Sequence, residues 1–174
     1  RFPSAKSVVL LMWEKAKDFL TRAFTVIFMA TVIIWFMQTF DTRLNVVENS
    51  ASSILAALGR LVSPIFAPLG FGDWRMVTAL VSGFTAKEAV VSTFGVILGV
   101  STEQLGIALH SLFTTASAAS FLAFCLLYTP CVAAVSTIKT ELKSGWKTVG
   151  IVFAQCLVAW LAAFMVYHVG LLLT

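Results

Sequence analysis

Two short stretches of this chain carry side chains that its apolar surroundings have to accommodate. The first is Lys87-Glu88, at the centre of "MVTALVSGFTAKEAVVSTFGVILG", residues 76–99. The second is Thr129-Pro130-Cys131, inside "LLYTPCVAAVSTIKTELKSG", residues 126–145. A charge at the middle of a membrane helix costs about 2.5–3.5 kcal/mol on insertion scales, so two adjacent charges need a reason. Neighbours on a helix diverge by about 100°, so Lys87 and Glu88 do not share one partner well. Glu88 and Ser92 are four apart and lie on one face, with Thr85 near it. This pattern predicts a polar pathway through a helical bundle, with Glu88 as a cation ligand or proton acceptor. The plainer alternative is that Lys87 snorkels or neutralises a carboxylate on another helix, while Glu88 caps or pairs.

Pro130 has no N–H, so the helical partner of the Leu126 carbonyl is missing. Inside a bilayer that carbonyl must find another donor or a cation. Discontinuous helices hold ions in this way near the membrane midplane. Cys131 adds a sulfur donor directly behind the break. Fe(II), Cu(I) and Zn(II) accept sulfur, whereas Na⁺ and Mg²⁺ disfavour it. Cys131 and Glu88 are therefore the candidate metal ligands, and Thr129, Pro130, Lys87, Thr85, Ser92 and Leu126 the candidate pathway. A proline kink with a buried cysteine acting as a small hydrophobe is the competing structural explanation.

Other reactive side chains point to packing or topology. Cys125 and Cys156 read as packing thiols, and His110 and His168 lack a partner at ligand spacing. Arg60 sits in an interrupted segment where it can neutralise Glu88. Lys139, Lys143 and Lys147 read as a topology signal. The chain has no G-x-x-x-x-G-K-[ST] loop and no G-x-G-x-x-G. It also lacks Ser-His-Asp and H-E-x-x-H arrangements, so neither a catalytic site nor a permanently bound cofactor is expected. No aromatic–basic interleaving suggests a nucleic-acid partner.

The elements that must position these residues follow from composition. The chain is 59% hydrophobic and only 11% charged, against roughly a quarter charged in soluble domains. The expected fold is an all-α membrane protein, a polytopic helical bundle with about five passes and broken or re-entrant helices. Residues 1–19 read as an amphipathic interfacial helix, with Val8, Val9, Met12, Trp13, Ala16 and Phe19 on one face. Residues 20–52 read as a first span and a polar loop. A span needs about 20 residues to cross a hydrocarbon core of roughly 30 Å.

The remainder, 53–174, reads as one transmembrane unit. Arg60, Pro64 and Pro68 interrupt 53–71, which therefore either crosses or re-enters. Residues 76–99 are long enough to span, with Ala79 and Gly83, then Gly95 and Gly99, at small-residue packing spacing. A short helix with His110 follows, then spans over 118–138 and 148–173. If 53–71 crosses, the lysine loop 139–147 falls on the cytoplasmic side, which the positive-inside rule favours. The chain begins at Arg1 and ends in apolar sequence, so both ends look cut from something larger.

"SPIFAPLGFGDWRMVTALVSGFTAKEAVVSTFGVILG" and "LLYTPCVAAVSTIKTELKSGWK" resemble the second half of the membrane domain of FeoB-type ferrous iron transporters. "FPSAKSVVLLMWEKAKDFLTRAFTVIFMATVIIWF" resembles the segment preceding that half, so the likeness runs nearly end to end. In that family two Gate units, similar to those of nucleoside transporters, form the permease, and a GTPase domain lies upstream. The resemblance implies that this chain is the second Gate unit. Its implied partners are the lipid bilayer, the first Gate unit and a cytoplasmic GTPase domain, and a homo-oligomer is compatible with it. It implies Fe²⁺ as the transported ion, passing into the cytoplasm across the bacterial inner membrane. Cys131 is then a Fe(II) ligand or pore residue, and Lys87 and Glu88 belong to the Gate motif. A nucleoside-type carrier on the same unit and a non-transporting assembly protein are the alternatives.

Overall fold

The structure is a computed structural model that describes residues 4–47, 50–85, 87–128 and 131–173, with backbone alone at 5, 19, 22, 23, 26, 27, 102 and 173. The described residues are helical apart from turns and one isolated antiparallel bridge, Phe40 to Val46. The protein is a multi-pass, all-α membrane protein. Its exterior is apolar: Trp146, Phe153, Leu122 and Leu172 all face outward. Several hydroxyls lie inside, with Ser82, Thr93, Ser117 and Ser120 buried. That inversion is what lipid as a solvent selects, because polar side chains then serve as packing contacts between helices.

Helix α1 runs unbroken over Ala5–Thr39. The boundary expected at residue 19 therefore falls within one continuous helix. Ser4 opens it by accepting the Ser7 N–H, and Thr21, Thr25 and Thr39 each return their hydroxyl to the carbonyl four residues back. The polar loop expected after it closes on itself at that bridge, with the Val47 N–H on the Thr39 carbonyl.

Helix α2, Ile54–Phe66, begins at Ser53, whose hydroxyl accepts the Ala56 N–H. Pro64 lies inside it, and a 3₁₀ turn at Ala67–Leu69 ends at Gly70 with φ +81°. A Cβ at Gly70 would strike the Tyr167 ring, so this left-handed turn requires glycine on two grounds. Helix α3, Trp74–Gly83, starts at Asp73, and the axis between α2 with its turn and α3 bends by 103°. Residues 53–71 are accordingly half of a bent pair, a broken span or a re-entrant loop, and not a straight helix.

Helix α4, Ala89–Leu98, is separated from α3 by residues 84–88. The single span expected over 76–99 is therefore corrected to two helices. It is α4 and α5, Thr102–Leu112, that form the next bent pair, at 80°. Gly99 ends α4 at φ +64°, with both its own N–H and that of Val100 on the Gly95 carbonyl. Nothing lies within 4 Å of a Cβ at Gly99, so the Gly95–Gly99 pair expected to pack helices instead terminates one.

Helix α6, Thr115–Leu127, opens with a reciprocal cap between Thr114 and Ser117. Helix α7, Val132–Leu142, follows the second break, and α8, Gly145–Leu173, closes the chain. Among the described residues, two stretches are long and apolar enough to cross a membrane: 115–142, taken across its break, and 145–172. Counting each bent pair as one span gives up to four.

The core is aromatic. Phe71 meets Phe121 edge-on at 5.3 Å and stacks on Phe66 at 5.6 Å, while Phe94, Phe113 and Phe121 lie within 5.1–5.9 Å of one another. Such stacked and edge-to-face aromatic pairs add roughly 0.5–1.5 kcal/mol each beyond the area they bury. Small residues carry the α6–α8 contact: Ser120 donates to the Ala163 carbonyl at 2.9 Å, and a Cβ on Gly170 would stand 3.0 Å from that of Ala116. Trp160 of α8 donates its indole N–H to the Ile65 carbonyl at 3.0 Å, capping the end of α2.

Candidate ion pathway at two helix breaks

The interruption between α3 and α4 and the interruption between α6 and α7 dock on each other. Val132, the first residue of α7, donates its backbone N–H to the Phe84 carbonyl at 3.0 Å. Three residues after Phe84, the Lys87 ammonium reaches the carbonyls of Cys125 at 3.0 Å, Leu126 at 3.3 Å and Tyr128 at 3.5 Å. One five-residue segment thus serves the start of α7 and the end of α6 together. Helix ends leave donors and acceptors without intrahelical partners, and in lipid those groups must be paired by protein.

Local sequence explains the first break. Gly83 closes α3, and the Phe84 and Thr85 N–H groups fold back to the carbonyls of Val81 and Ser82. Close packing demands a residue without Cβ at position 83: an added carbon would overlap Val90 and lie 2.7 Å from the Tyr128 hydroxyl. Thr85 is buried in this turn. Glu88 occupies the N-cap of α4, exposed, and makes no side-chain cap hydrogen bond. Ser92, also exposed, turns its hydroxyl to the Ala89 carbonyl at 3.1 Å. Glu88 and Ser92 therefore flank the first turn of α4 at the mouth of the break, and not the middle of a continuous helix.

Cys131 is the N-cap of α7, half-buried, with φ −54° and ψ 162° and no side-chain cap hydrogen bond. Thr129 and Pro130 lie outside the described residues. The Leu126 carbonyl, expected to need a cationic partner, has one in Lys87, while its side chain points outward. Cys125 lies on the cavity wall described below, and none of the three cysteines is in a disulfide. Among the described residues no group of three or more His, Cys, Asp or Glu converges as a metal cage.

Several features went unread in the sequence. Tyr128 stacks on Phe124 and places its ring 4.9 Å from the Lys87 ammonium. The Tyr-before-Thr-Pro-Cys order was the available signal. Arg60 is held elsewhere: it donates to the Ala51 carbonyl at 2.9 Å and covers the Trp74 ring at 5.0 Å. A cavity of about 590 Å³ opens between α4, α5 and α6, with Lys87, Cys125 and Tyr128 in its wall beside Phe94, Phe113 and Phe121. His110 lines the same cavity, and His168 instead bonds the Phe164 carbonyl at 2.9 Å.

Residues 20–145 match the family model described as "Gate: Nucleoside recognition". The chain is 38% identical over 172 residues to the Fe(2+) transporter FeoB of Staphylococcus aureus strain COL, covering 98% of this chain. It is 32% identical over 178 residues to that of Methanocaldococcus jannaschii, again covering 98% of this chain. A fusion protein of Porphyromonas gingivalis, named Fe(2+) transport protein A/Fe(2+) transporter FeoB, is 29% identical over 221 residues, covering 99%. This chain spans 26% of the length of each of these relatives. No solved structure matches.

Proposed function

This chain belongs to the Gate family, and from that premise we propose that it is the permease portion of a ferrous iron importer. Fe²⁺ would pass into the cytoplasm under control of a GTPase domain outside this chain. The observation that carries the reading is the alignment of 98% of this chain with proteins named Fe(2+) transporter FeoB. The junction of two broken helices supports it, because such junctions place backbone dipoles where an ion can exchange its water. Cys131 and Glu88 are the proposed ligands, a soft sulfur and a charged oxygen at the two breaks. Thr85, Ser92 and the 129–130 segment would supply hydroxyl and carbonyl oxygens along the way. Sulfur at that point favours Fe(II) over Na⁺ or Mg²⁺.

A nucleoside-type carrier is the second reading, favoured by the family description and by the aromatic cavity, whose size suits a small ligand. Its described lining contains no Asn or Gln to read a base edge. Uptake of ⁵⁵Fe²⁺ against labelled nucleoside, by the full-length protein in proteoliposomes, separates the two. Iron uptake alone supports the importer, and nucleoside uptake alone overturns it.

A further inference from the structure

The geometry points to Lys87 as a built-in cation: its ammonium occupies a carbonyl socket at the end of α6 and locks the two helix breaks together. Three backbone oxygens, those of Cys125, Leu126 and Tyr128, converge on one nitrogen that has three N–H groups. The Tyr128 ring covers the same charge at 4.9 Å. The last turn of a helix carries the negative end of its dipole, so the socket is electrostatically suited to a monovalent cation before any side chain is counted. Among the described residues no carboxylate forms an ion pair with Lys87, and the salt bridge there is Arg75 with Asp73. The partners of the charge among the described residues are carbonyl dipoles and a ring face.

That balance has consequences for both breaks. The same five-residue segment offers the Phe84 carbonyl to the Val132 N–H, so withdrawing the ammonium loosens the start of α7 along with the end of α6. Lys87 is exposed and lines the cavity beside Cys125 and Tyr128, which leaves a route for a small external cation to enter a vacated socket. The ligand class that fits is a primary alkylammonium, which has three N–H donors and one charge. A tetraalkylammonium has the charge and no donors. This inference stands apart from the identity of the transported solute.

The test uses the full-length protein in liposomes, with Cys125→Ala and Cys156→Ala, and follows alkylation of Cys131 by a maleimide. Lys87→Met should speed alkylation about tenfold or more, because hydrogen bonds to a charged group are lost from a local opening equilibrium. Methylammonium should return the rate toward that of the parent, and tetramethylammonium at equal ionic strength should not. Lys87→Arg, which keeps charge and donors, should stay slow, and it carries the test if the Met variant fails to insert. Equal rates for parent and Lys87→Met, equal action of the two cations, or a fast Lys87→Arg would each overturn the inference.

Discussion

The backbone N–H of Val132 and the carbonyl of Phe84 are 3.0 Å apart, and through that bond the start of one helix rests on the end of another, 48 positions away in sequence. The two residues belong to separate breaks, so the bond ties two discontinuous helices at the points where each is weakest.

Proximity of those breaks is checked by cross-linking. In protein lacking Cys125, Cys131 and Cys156, the pair Phe84→Cys and Val132→Cys should join through a short bis-maleimide. Failure to cross-link, while each single cysteine still reacts, would place the breaks apart.

Gly83 should not tolerate a side chain. A Cβ there overlaps Val90 and crowds the Tyr128 hydroxyl, so Gly83→Ala should cost about 1–3 kcal/mol through overpacking. Thermal unfolding in detergent should show a lower Tm, and an unchanged Tm would contradict the packing.

Trp160 caps the end of α2 through the Ile65 carbonyl. Trp160→Phe keeps most of the ring and removes the donor, which should cost about 1 kcal/mol. The same melting experiment reads it, with an equal Tm as the contrary result.

How much of this the sequence discloses depends on what makes each break. Pro130 announces its break, because a residue without an N–H interrupts a helix in any context. The break at 84–88 contains no proline, and its helical periodicity continues through Lys87-Glu88. What holds it open is tertiary: the Val132 N–H on Phe84 and the carbonyls of Cys125, Leu126 and Tyr128 on Lys87. Local sequence therefore predicts a single span over 76–99 with both charges at its centre, whereas Lys87 and Glu88 lie in a turn. Gly95 and Gly99 misled for a similar reason, since small-residue spacing looks alike whether it packs a neighbour or ends a helix. Membrane class, helical content and the end of α2 next to Pro68 are legible because they depend on composition and local backbone chemistry, whereas Pro64, read as an interruption, lies inside α2.

Substitution at each break tests most directly whether the two breaks form the proposed iron path. ⁵⁵Fe²⁺ uptake by the full-length transporter should be abolished by Cys131→Ala and by Glu88→Gln, and should persist in Cys125→Ala, with equal protein in the membrane. Uptake at the parent rate in both Cys131→Ala and Glu88→Gln would contradict the account.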